Sequence, residues 1–272
     1  FEKADRFQMN VVNCAMLDAF ILAMPQRPDV EHLTDYYAAA MMTGPRAFNI
    51  MIKPGGSLCN LDCRYCYYLD KASMYGGREP VMSIEMLEKV IRDYISSCDT
   101  REVTFNWHGG EPLAIGIDFY RKAVELERRY SDGKIISNTI QTNGTLVTPE
   151  WADFLASNRF LVGISIDGPQ HIHDIYRSSK AGVPSFDRVM EGLGNLVRAG
   201  AEFNTLTAVS KASEGHALEI YQFLKSLGSR FMQFLPVVER IKFQVNANGR
   251  QMKNLRPSMV DPHSKGDGFG TW

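Results

Sequence analysis

The sequence predicts an α/β fold, a partial, TIM-like (β/α)6 barrel preceded by a helical extension and followed by an irregular tail. From residue 47 onward, short β-rich runs alternate with longer runs of helical period, about six times. The short runs are mostly apolar, as the strands of buried parallel sheets are. Six such units are fewer than the eight of a closed barrel, so an open barrel is expected.

Six segments have the length and composition of buried strands: residues 48–52, 102–107, 135–141, 161–166, 203–209 and 231–235. Helix signals stand between them. Apolar residues recur at helical spacing behind Ser83, a plausible N-cap, and again before Gly200, a typical C-terminal stop. Thr148, Pro149 and Glu150 supply a cap, a first-turn proline and a first-turn acid, which predicts another helix start.

The same patterns divide the chain into three parts. Residues 1–46 precede the first strand and are expected to form an N-terminal helical extension. Residues 47–240 hold the six βα units and form the main domain. Residues 241–272 lose the periodicity and become rich in Pro, Gly and Ser, so a truncated or disordered tail is expected there.

Composition excludes several functional classes. The chain of 272 residues is 44% hydrophobic and carries a formal net charge of -1, without a Lys/Arg run that would bind nucleic acid. An apolar stretch at residues 9–24 is too short and too polar to span a membrane. The chain has five cysteines, an odd number, and three of them lie within eight residues, which is unlike a disulfide-bonded secreted domain. We therefore expect a cytoplasmic protein.

Three cysteines dominate the chemistry of the sequence. Cys59, Cys63 and Cys66 have the spacing C-x3-C-x2-C directly after the first predicted strand. Thiolates suit iron-sulfur clusters, zinc or copper(I), and three ligands on a four-iron cluster leave one iron open to another ligand. A zinc site completed by His108, or three cysteines that are neighbours by chance, are the alternatives. No second C-x2-C or H-x3-H element supports the zinc site.

Polar residues follow the next three predicted strands. Gly109, Gly110 and Glu111 make a turn in which backbone can approach a ligand closely, although a plain βα turn has the same composition. Ser165 lies at the end of the fourth strand and Arg177 follows it. A hydroxyl with a guanidinium can hold a carboxylate, and a turn with a surface arginine is the alternative. The third strand ends in Gln141-Thr142-Asn143-Gly144, which a tight turn also explains.

Taken together, these motifs resemble the radical S-adenosylmethionine superfamily, whose cysteine loop is matched by Cys59, Cys63, Tyr65 and Cys66. The resemblance implies a [4Fe-4S] cluster on the three cysteines, which are then catalytic. Its open iron chelates S-adenosyl-L-methionine, which one electron splits into methionine and a 5′-deoxyadenosyl radical. The implied cofactor-binding residues are Tyr65, Tyr67, His108, Gly109, Gly110, Glu111, Ser165 and Arg177.

Within this superfamily, the segments SLCNLDCRYCYYLDK, TFNWHGGEPL, IQTNGTLV and GISIDGPQHIHDIYR resemble the anaerobic sulfatase-maturing enzymes of the SPASM-containing, peptide-modifying group. That resemblance implies oxidation of a Cys or Ser of a sulfatase polypeptide to Cα-formylglycine, begun by hydrogen abstraction from Cβ. It also implies an electron donor such as a ferredoxin or flavodoxin. The candidate substrate contacts are Tyr68, Gln141 and Asn143.

The sequence departs from that family in its C-terminal part. Such enzymes carry a cysteine-rich domain with two auxiliary clusters, whereas only Cys14 and Cys98 remain here beyond the first three. Two thiols cannot ligate a cluster that needs four. The chain also starts at Phe1, so we expect only the catalytic half of such an enzyme. Another radical peptide modification, such as thioether formation or epimerisation, and a non-catalytic remnant are the alternatives.

Overall fold

The computed structural model describes residues 47–68 and 81–237, and in them six parallel strands alternate with helices. The strands are β1 (Ile50–Ile52), β2 (Glu102–Trp107), β3 (Ile135–Thr142), β4 (Leu161–Ser165), β5 (Phe203–Val209) and β6 (Met232–Pro236). The helices are α1 (Ile84–Ser97), α2 (Ile117–Tyr130), α3 (Pro149–Ser157), α4 (Gln170–Tyr176), α5 (Phe186–Ala199) and α6 (Ala217–Ser226).

The strands pair in the order of the chain, β1-β2-β3-β4-β5-β6, and every pair is parallel. This arrangement confirms the predicted α/β, partial-barrel fold class. The expected helical extension (residues 1–46) and the expected tail (residues 241–272) lie outside the described residues. All six predicted strands are present, and their ends agree with the prediction to within one or two residues. The largest difference is in β1, which begins only at Ile50, the residue that pairs with Phe105.

Local sequence signals set the helix ends. The Ser83 hydroxyl accepts a hydrogen bond from Met86 N at 3.2 Å and starts α1. Thr148 does the same for α3, accepting from Trp151 N at 3.3 Å, with proline in the first turn. Helix α5 ends at Gly200, whose φ of 71° lies in the left-handed region that glycine adopts without strain.

The core lies between the helices and one face of the sheet. In β2, Val103, Phe105 and Trp107 are buried on that face, while Thr104 and Asn106 alternate to the other side. The opposite face is polar and only half-buried, and there Thr139 donates a hydrogen bond to Asn106 Oδ1 at 2.9 Å. Because all strands are parallel, their carboxyl ends meet at one edge, and the loops after β1 to β5 converge beside this polar face.

Strand β6 forms the far border of the sheet. Its side chains are largely exposed, as is Phe231 just before it, whose side chain is 64% exposed. None of the helices in the described part of the chain is long and apolar enough to cross a membrane.

Candidate functional site

The cysteine loop follows β1 at the carboxyl edge of the sheet. It is held there by the segment after α4: Asp62 N donates to Ser178 O at 2.8 Å and Arg64 N donates to Tyr176 O at 2.9 Å. Within the loop, Cys66 N donates to Cys63 O at 2.8 Å, which makes a tight turn between the last two cysteines. The loop is therefore fixed by backbone contacts on both sides of Tyr65.

The loop brings the three predicted ligands together. None of the three cysteines is in a disulfide bond, and the Cys66 thiol raises the pKa of both Cys59 and Cys63. The main cause of both shifts is burial, which raises the pKa of Cys59 to about 11 and that of Cys63 to about 12. Both thiols are then protonated at neutral pH, so a metal that binds them must displace their protons.

Among the described residues, the one group of three possible ligands whose atoms all lie within 4.8 Å is His171, His216 and Glu219 on the surface. The three cysteine sulfurs, with or without His108, do not form such a group, whereas two thiolates on one zinc ion lie within about 4.6 Å of each other, twice the Zn–S bond length of about 2.3 Å. The cysteine loop therefore holds no preassembled zinc site. Three thiolates on one loop have the ligand number of a four-iron cluster with one open iron, because each thiolate there binds a different iron.

The glycine turn after β2 packs directly on the start of the cysteine loop. Gly110 N donates to Gly56 O at 3.0 Å, and Glu111 N donates to Leu58 O at 2.7 Å. A Cβ on Gly110 would lie 2.3 Å from Leu58 O, and Gly109 has a φ of 130°. Only glycine permits this contact. The turn thus supports the loop that carries the cysteines.

The carboxylate of Glu111 points into the protein and connects β2 to the end of β3. It accepts hydrogen bonds from Asn143 N at 2.7 Å, Thr142 Oγ1 at 2.8 Å and Leu113 N at 3.0 Å. Burial raises the pKa of Glu111 to about 7, although these hydrogen bonds oppose the rise. Its side chain therefore fixes the backbone of Asn143. Direct contact of Glu111 with a cofactor stays a prediction.

The side chain of Asn143 continues this network to the first cysteine. Its Nδ2 donates to Asn60 Oδ1 at 2.9 Å and lies 3.8 Å from Cys59 Sγ, while its Oδ1 accepts from Thr145 N and Oγ1. Leu61 N also donates to Cys59 Sγ, at 3.4 Å. Cys59 thus has two N–H groups directed at its sulfur. A contact of Asn143 with substrate stays a prediction.

Asp167, a residue that sequence reasoning did not select, lies at the centre of a second network. Its carboxylate accepts from Arg177 Nε at 2.8 Å and Nη2 at 3.0 Å, from Ala208 N at 2.9 Å and from the Tyr65 hydroxyl. Burial alone would raise the pKa of Asp167, but the Arg177 guanidinium lowers it below its usual value. The available signal was a carboxylate directly after a buried strand, at the edge where the loops meet.

Ser165 and Gln141 lie side by side on the polar face of the sheet. Gln141 Nε2 donates to Ser165 Oγ at 3.1 Å. The contact depends on Gly163, since a Cβ there would lie 2.3 Å from Gln141 Oε1. Both side chains are half-buried, and their contact shows that the predicted cofactor residue and the predicted substrate residue share one surface.

Two tyrosines, Tyr67 and Tyr68, come directly after the last cysteine of the loop. The rings of Tyr67 and Tyr68 are 4.3 Å apart, and the Lys53 ammonium lies 5.3 Å from the centre of the Tyr68 ring. Tyr67 is 60% exposed, whereas Tyr68 is buried. His108 Nδ1 accepts from Gly109 N at 2.8 Å, so the remaining nitrogen, Nε2, carries the ring proton, and burial lowers the pKa of His108.

His171, His173 and Asp174 are neighbours in the sequence, but the fold directs their side chains to different partners. His173 is buried. Its Nδ1 accepts a hydrogen bond from Asp167 N at 3.3 Å, and its Nε2 is hydrogen-bonded to Ser185 Oγ at 3.1 Å. Asp174 accepts from the backbone at the start of α5, at Ser185 N and Phe186 N. His171 lies on the surface, where Glu219 is its partner. They share no ligand position.

Comparisons with known proteins identify relatives of this chain. A "Serine-type anaerobic sulfatase-maturating enzyme" of Bacteroides thetaiotaomicron is 47% identical over 207 residues, which are 76% of this chain and 50% of that protein. A "Cysteine-type anaerobic sulfatase-maturating enzyme" of Clostridium novyi is 38% identical over 72% of this chain and 53% of its own length. The chain thus spans about half the length of the curated relatives it matches.

Solved structures give the same result. One described as native anSMEcpe with bound AdoMet and Cp18Cys peptide has a TM-score of 0.66 and 32% identity, over 74% of this chain and 54% of that one. Streptococcus suis SuiB bound to precursor peptide SuiA, at 15% identity and a TM-score of 0.54, shares the fold. The profile of the Radical SAM superfamily matches residues 54–224 and includes the three cysteines. On these grounds, the chain belongs to the Radical SAM superfamily.

Proposed function

We propose that this chain is the radical-chemistry half of an enzyme that oxidises a Cys or Ser of a sulfatase polypeptide to Cα-formylglycine. The observation that carries the proposal is that three cysteines without disulfide bonds lie on one loop at the carboxyl edge of the sheet, which is the ligand number of a four-iron cluster with one open iron. The curated relatives that share this region at 47% and 38% identity are named for sulfatase maturation.

In this proposal, Cys59, Cys63 and Cys66 hold a [4Fe-4S] cluster and leave one iron for S-adenosyl-L-methionine. When bound, the two groups supply one-electron cleavage of the cofactor to a carbon radical that abstracts hydrogen. The protein has to keep water and stray reductants away from that radical, and within the loop Cys63 is buried while Cys59 and Cys66 are half-buried.

The walls of the site give the remaining roles. The Gly109–Gly110 backbone and His108 are assigned to the amino end of the cofactor, beside the loop on which they pack. Ser165 and Arg177 are assigned to its carboxylate and ribose, and the ring of Tyr65 and the backbone of Tyr67 to its adenine. Glu111 is assigned to the cofactor with this turn, and its buried carboxylate also fixes the backbone of Asn143.

A sulfatase polypeptide is the proposed substrate, and Tyr68, Gln141 and Asn143 are its candidate contacts. A ferredoxin or flavodoxin is the proposed electron donor, in the cytoplasm. Peptide recognition has to use the open, polar face of the sheet, because the helices cover the other face. The part of the relatives that this chain does not match is expected to complete the second electron transfer.

The test is anaerobic reconstitution of the chain with iron and sulfide, followed by reduction in the presence of S-adenosylmethionine. The expected result is a cluster bound by wild type and release of 5′-deoxyadenosine, both absent in Cys63→Ala. The matched control is Cys98→Ala, a buried thiol outside the loop, which keeps both signals. One zinc and no iron in the anaerobically purified protein would contradict the proposal.

The substrate is tested separately, with sulfatase-derived peptides that carry Cys or Ser at the target position. Mass spectrometry should show the formylglycine product when the half of a relative that this chain does not match is supplied with it. If the cofactor is cleaved but the peptide carries a thioether, or is epimerised with unchanged mass, the formylglycine proposal is contradicted and another peptide modification takes its place.

A further inference from the structure

We propose that Asp167 is a positioning residue that connects the cysteine loop to the cofactor-binding arginine and thereby sets the affinity for S-adenosylmethionine. The inference rests on the proposed function, because it concerns the same cofactor. The residue stands two positions after Ser165, directly beyond the carboxyl end of β4, and is 4% exposed.

The carboxylate is fully used by donors from three different segments. Oδ2 accepts from the Tyr65 hydroxyl and from Arg177 Nε, and Oδ1 accepts from Arg177 Nη2 and Ala208 N. Tyr65 lies between two of the cysteines, Arg177 follows α4, and Ala208 lies in β5. One side chain therefore joins the cysteine loop, the arginine and a neighbouring strand.

The contact with Arg177 determines which part of its guanidinium a ligand can use. Arg177 is 8% exposed, and both of its recorded side-chain hydrogen bonds within the described residues go to Asp167, through Nε and Nη2. Nη1 is the nitrogen left for an incoming oxygen. A bidentate pair fixes the plane of the guanidinium, so the carboxylate of Asp167 decides where Nη1 points.

The contact with Tyr65 extends this control to the cysteine loop. The Tyr65 hydroxyl donates to Asp167, and the Arg177 guanidinium carbon lies 5.5 Å from the centre of the Tyr65 ring. The ring thus has one fixed orientation between Cys63 and Cys66. Loss of the carboxylate would free the ring and the guanidinium together.

The backbone of the loop does not depend on Asp167. Asp62 N–Ser178 O and Arg64 N–Tyr176 O hold the two segments together, just before Tyr65 in the loop and on either side of Arg177 in the other segment. A change at Asp167 should therefore leave the loop in place and the cysteines able to take up iron. What it removes is the orientation of two side chains, which is the reason to expect an effect on cofactor binding.

The experiment compares cluster-loaded wild type with Asp167→Asn, which keeps the shape of the side chain but places an NH2 group against donors. We expect iron content close to that of wild type, at least about a tenfold rise in the Kd and KM for S-adenosylmethionine, and a smaller change in kcat for 5′-deoxyadenosine release. The spectral change of the reduced cluster on cofactor addition should weaken in parallel.

Two variants keep the test valid if Asp167→Asn fails to fold because the buried arginine is left unpaired. Asp167→Glu retains the charge and should restore part of the affinity. Tyr65→Phe leaves the ion pair intact and should weaken cofactor binding by a few-fold with the same iron content. If both bind S-adenosylmethionine as wild type does, the inference is wrong.

A double-mutant cycle with Arg177→Lys shows whether Asp167 acts through the arginine. The double variant should bind S-adenosylmethionine no more weakly than Arg177→Lys alone, since both changes remove the same orientation. If the rise in Kd of the double variant equals the product of the rises in the two single variants, the inference is overturned. The matched control is Asp174→Asn, which removes a carboxylate of α4 that binds only backbone at Ser185 and Phe186. An equal loss of affinity in this control would also overturn it.

The wild-type sample separates the two proposals. Cluster-loaded wild type that neither binds nor cleaves S-adenosylmethionine contradicts the proposed function and removes the cofactor on which this inference rests. Wild type that binds and cleaves it, beside an Asp167→Asn variant of equal affinity, contradicts the role of Asp167 alone.

Discussion

The side-chain amide of Asn143 is directed at Cys59, with Nδ2 3.8 Å from the cysteine sulfur. Asn143 is 8% exposed, and Glu111 holds its backbone N–H at 2.7 Å. The glycine-rich turn after β2 and the end of β3 are thereby joined to the first predicted cluster ligand. Groups that surround metal ligands in this way orient them and alter the properties of the metal.

Asn143→Asp should impair loading of the site. The substitution replaces an N–H donor by a negative charge next to a sulfur that must become a thiolate. We expect affinity for the cluster to fall about 10-fold to 100-fold, measured as iron retained after gel filtration with a chelator. Asn158→Asp, at the C-terminal end of α3, is the control and should retain iron as wild type does. Equal retention by both variants would show that Asn143 does not support Cys59.

Gly110→Ala should displace the cysteine loop. The new Cβ would lie 2.3 Å from Leu58 O and 2.5 Å from Ser57 O, both backbone atoms that cannot move independently. We expect a loss of about 1–3 kcal/mol in the free energy of unfolding, together with reduced iron content. Denaturant titration and iron analysis measure the two effects.

Gly194→Ala is the matched control for that variant. Gly194 lies within α5, and its new Cβ would meet only Arg198 Nη1, the end of a flexible side chain, at 3.3 Å. Because alanine favours a helix over glycine, stability should rise by up to about 1 kcal/mol with unchanged iron content. A wild-type iron content in Gly110→Ala would refute the close-contact argument.

Glu127→Gln should remove a pH dependence of stability. Burial raises the pKa of Glu127 to about 7, its Oε2 accepts from Asn138 Nδ2 at 2.7 Å, and its Oε1 has no partner among the described residues. Since the folded-state pKa is raised, the contribution of this group is fully present below about pH 4.5 and is lost as the pH rises through about 7. The loss amounts to about 3 kcal/mol at most.

The measurement is the free energy of unfolding of the metal-free protein between pH 5 and 8, at intervals of about one unit. Relative to wild type, Glu127→Gln should gain stability as the pH rises across this window. The comparison cancels other groups, such as Glu111, that are common to both proteins. Parallel profiles for the two proteins would show that Glu127 titrates as an ordinary glutamate.

Gly163→Ala should weaken cofactor binding without changing the cysteine loop. Its Cβ would lie 2.3 Å from Gln141 Oε1 and 2.9 Å from Leu206 Cδ1, so Gln141 has to leave its position on Ser165. If Ser165 holds the cofactor, the Kd for S-adenosylmethionine should rise by about tenfold at equal iron content. This Kd is measured by titrating the reduced cluster with S-adenosylmethionine and recording the spectrum of the cluster. An unchanged Kd would contradict the assignment of Ser165 to the cofactor.

Local signals were sufficient for most of the framework. Thr148 and Pro149 start a helix whether or not the rest of the chain is known, because capping involves residues within one turn. The alternation of short apolar runs with helical runs predicted six parallel strands for a similar reason. Strand ends were less accurate, since the last pair of a ladder depends on a partner that is distant in sequence.

The site was predictable as a set of residues but not as a set of contacts. The cysteine spacing shows a metal loop in the sequence alone, whereas the role of Asp167 depends on segments around residues 65, 177 and 208 meeting at one carboxylate. Arg177 was expected to face a ligand, and the structure shows that two of its nitrogens bind Asp167. Long-range ion pairs of this kind have no periodic signature.

Because the strands pair in the order in which they occur in the chain, each βα unit can pack on the one before it while the protein is being synthesised. The cysteine loop follows β1, but the residues that hold its backbone, Tyr176 and Ser178, are synthesised more than a hundred residues later. The metal ligands therefore leave the ribosome well before the segment that fixes them. A cluster can reach its final setting only after residue 178 has emerged, so its insertion follows the synthesis of the first four strands.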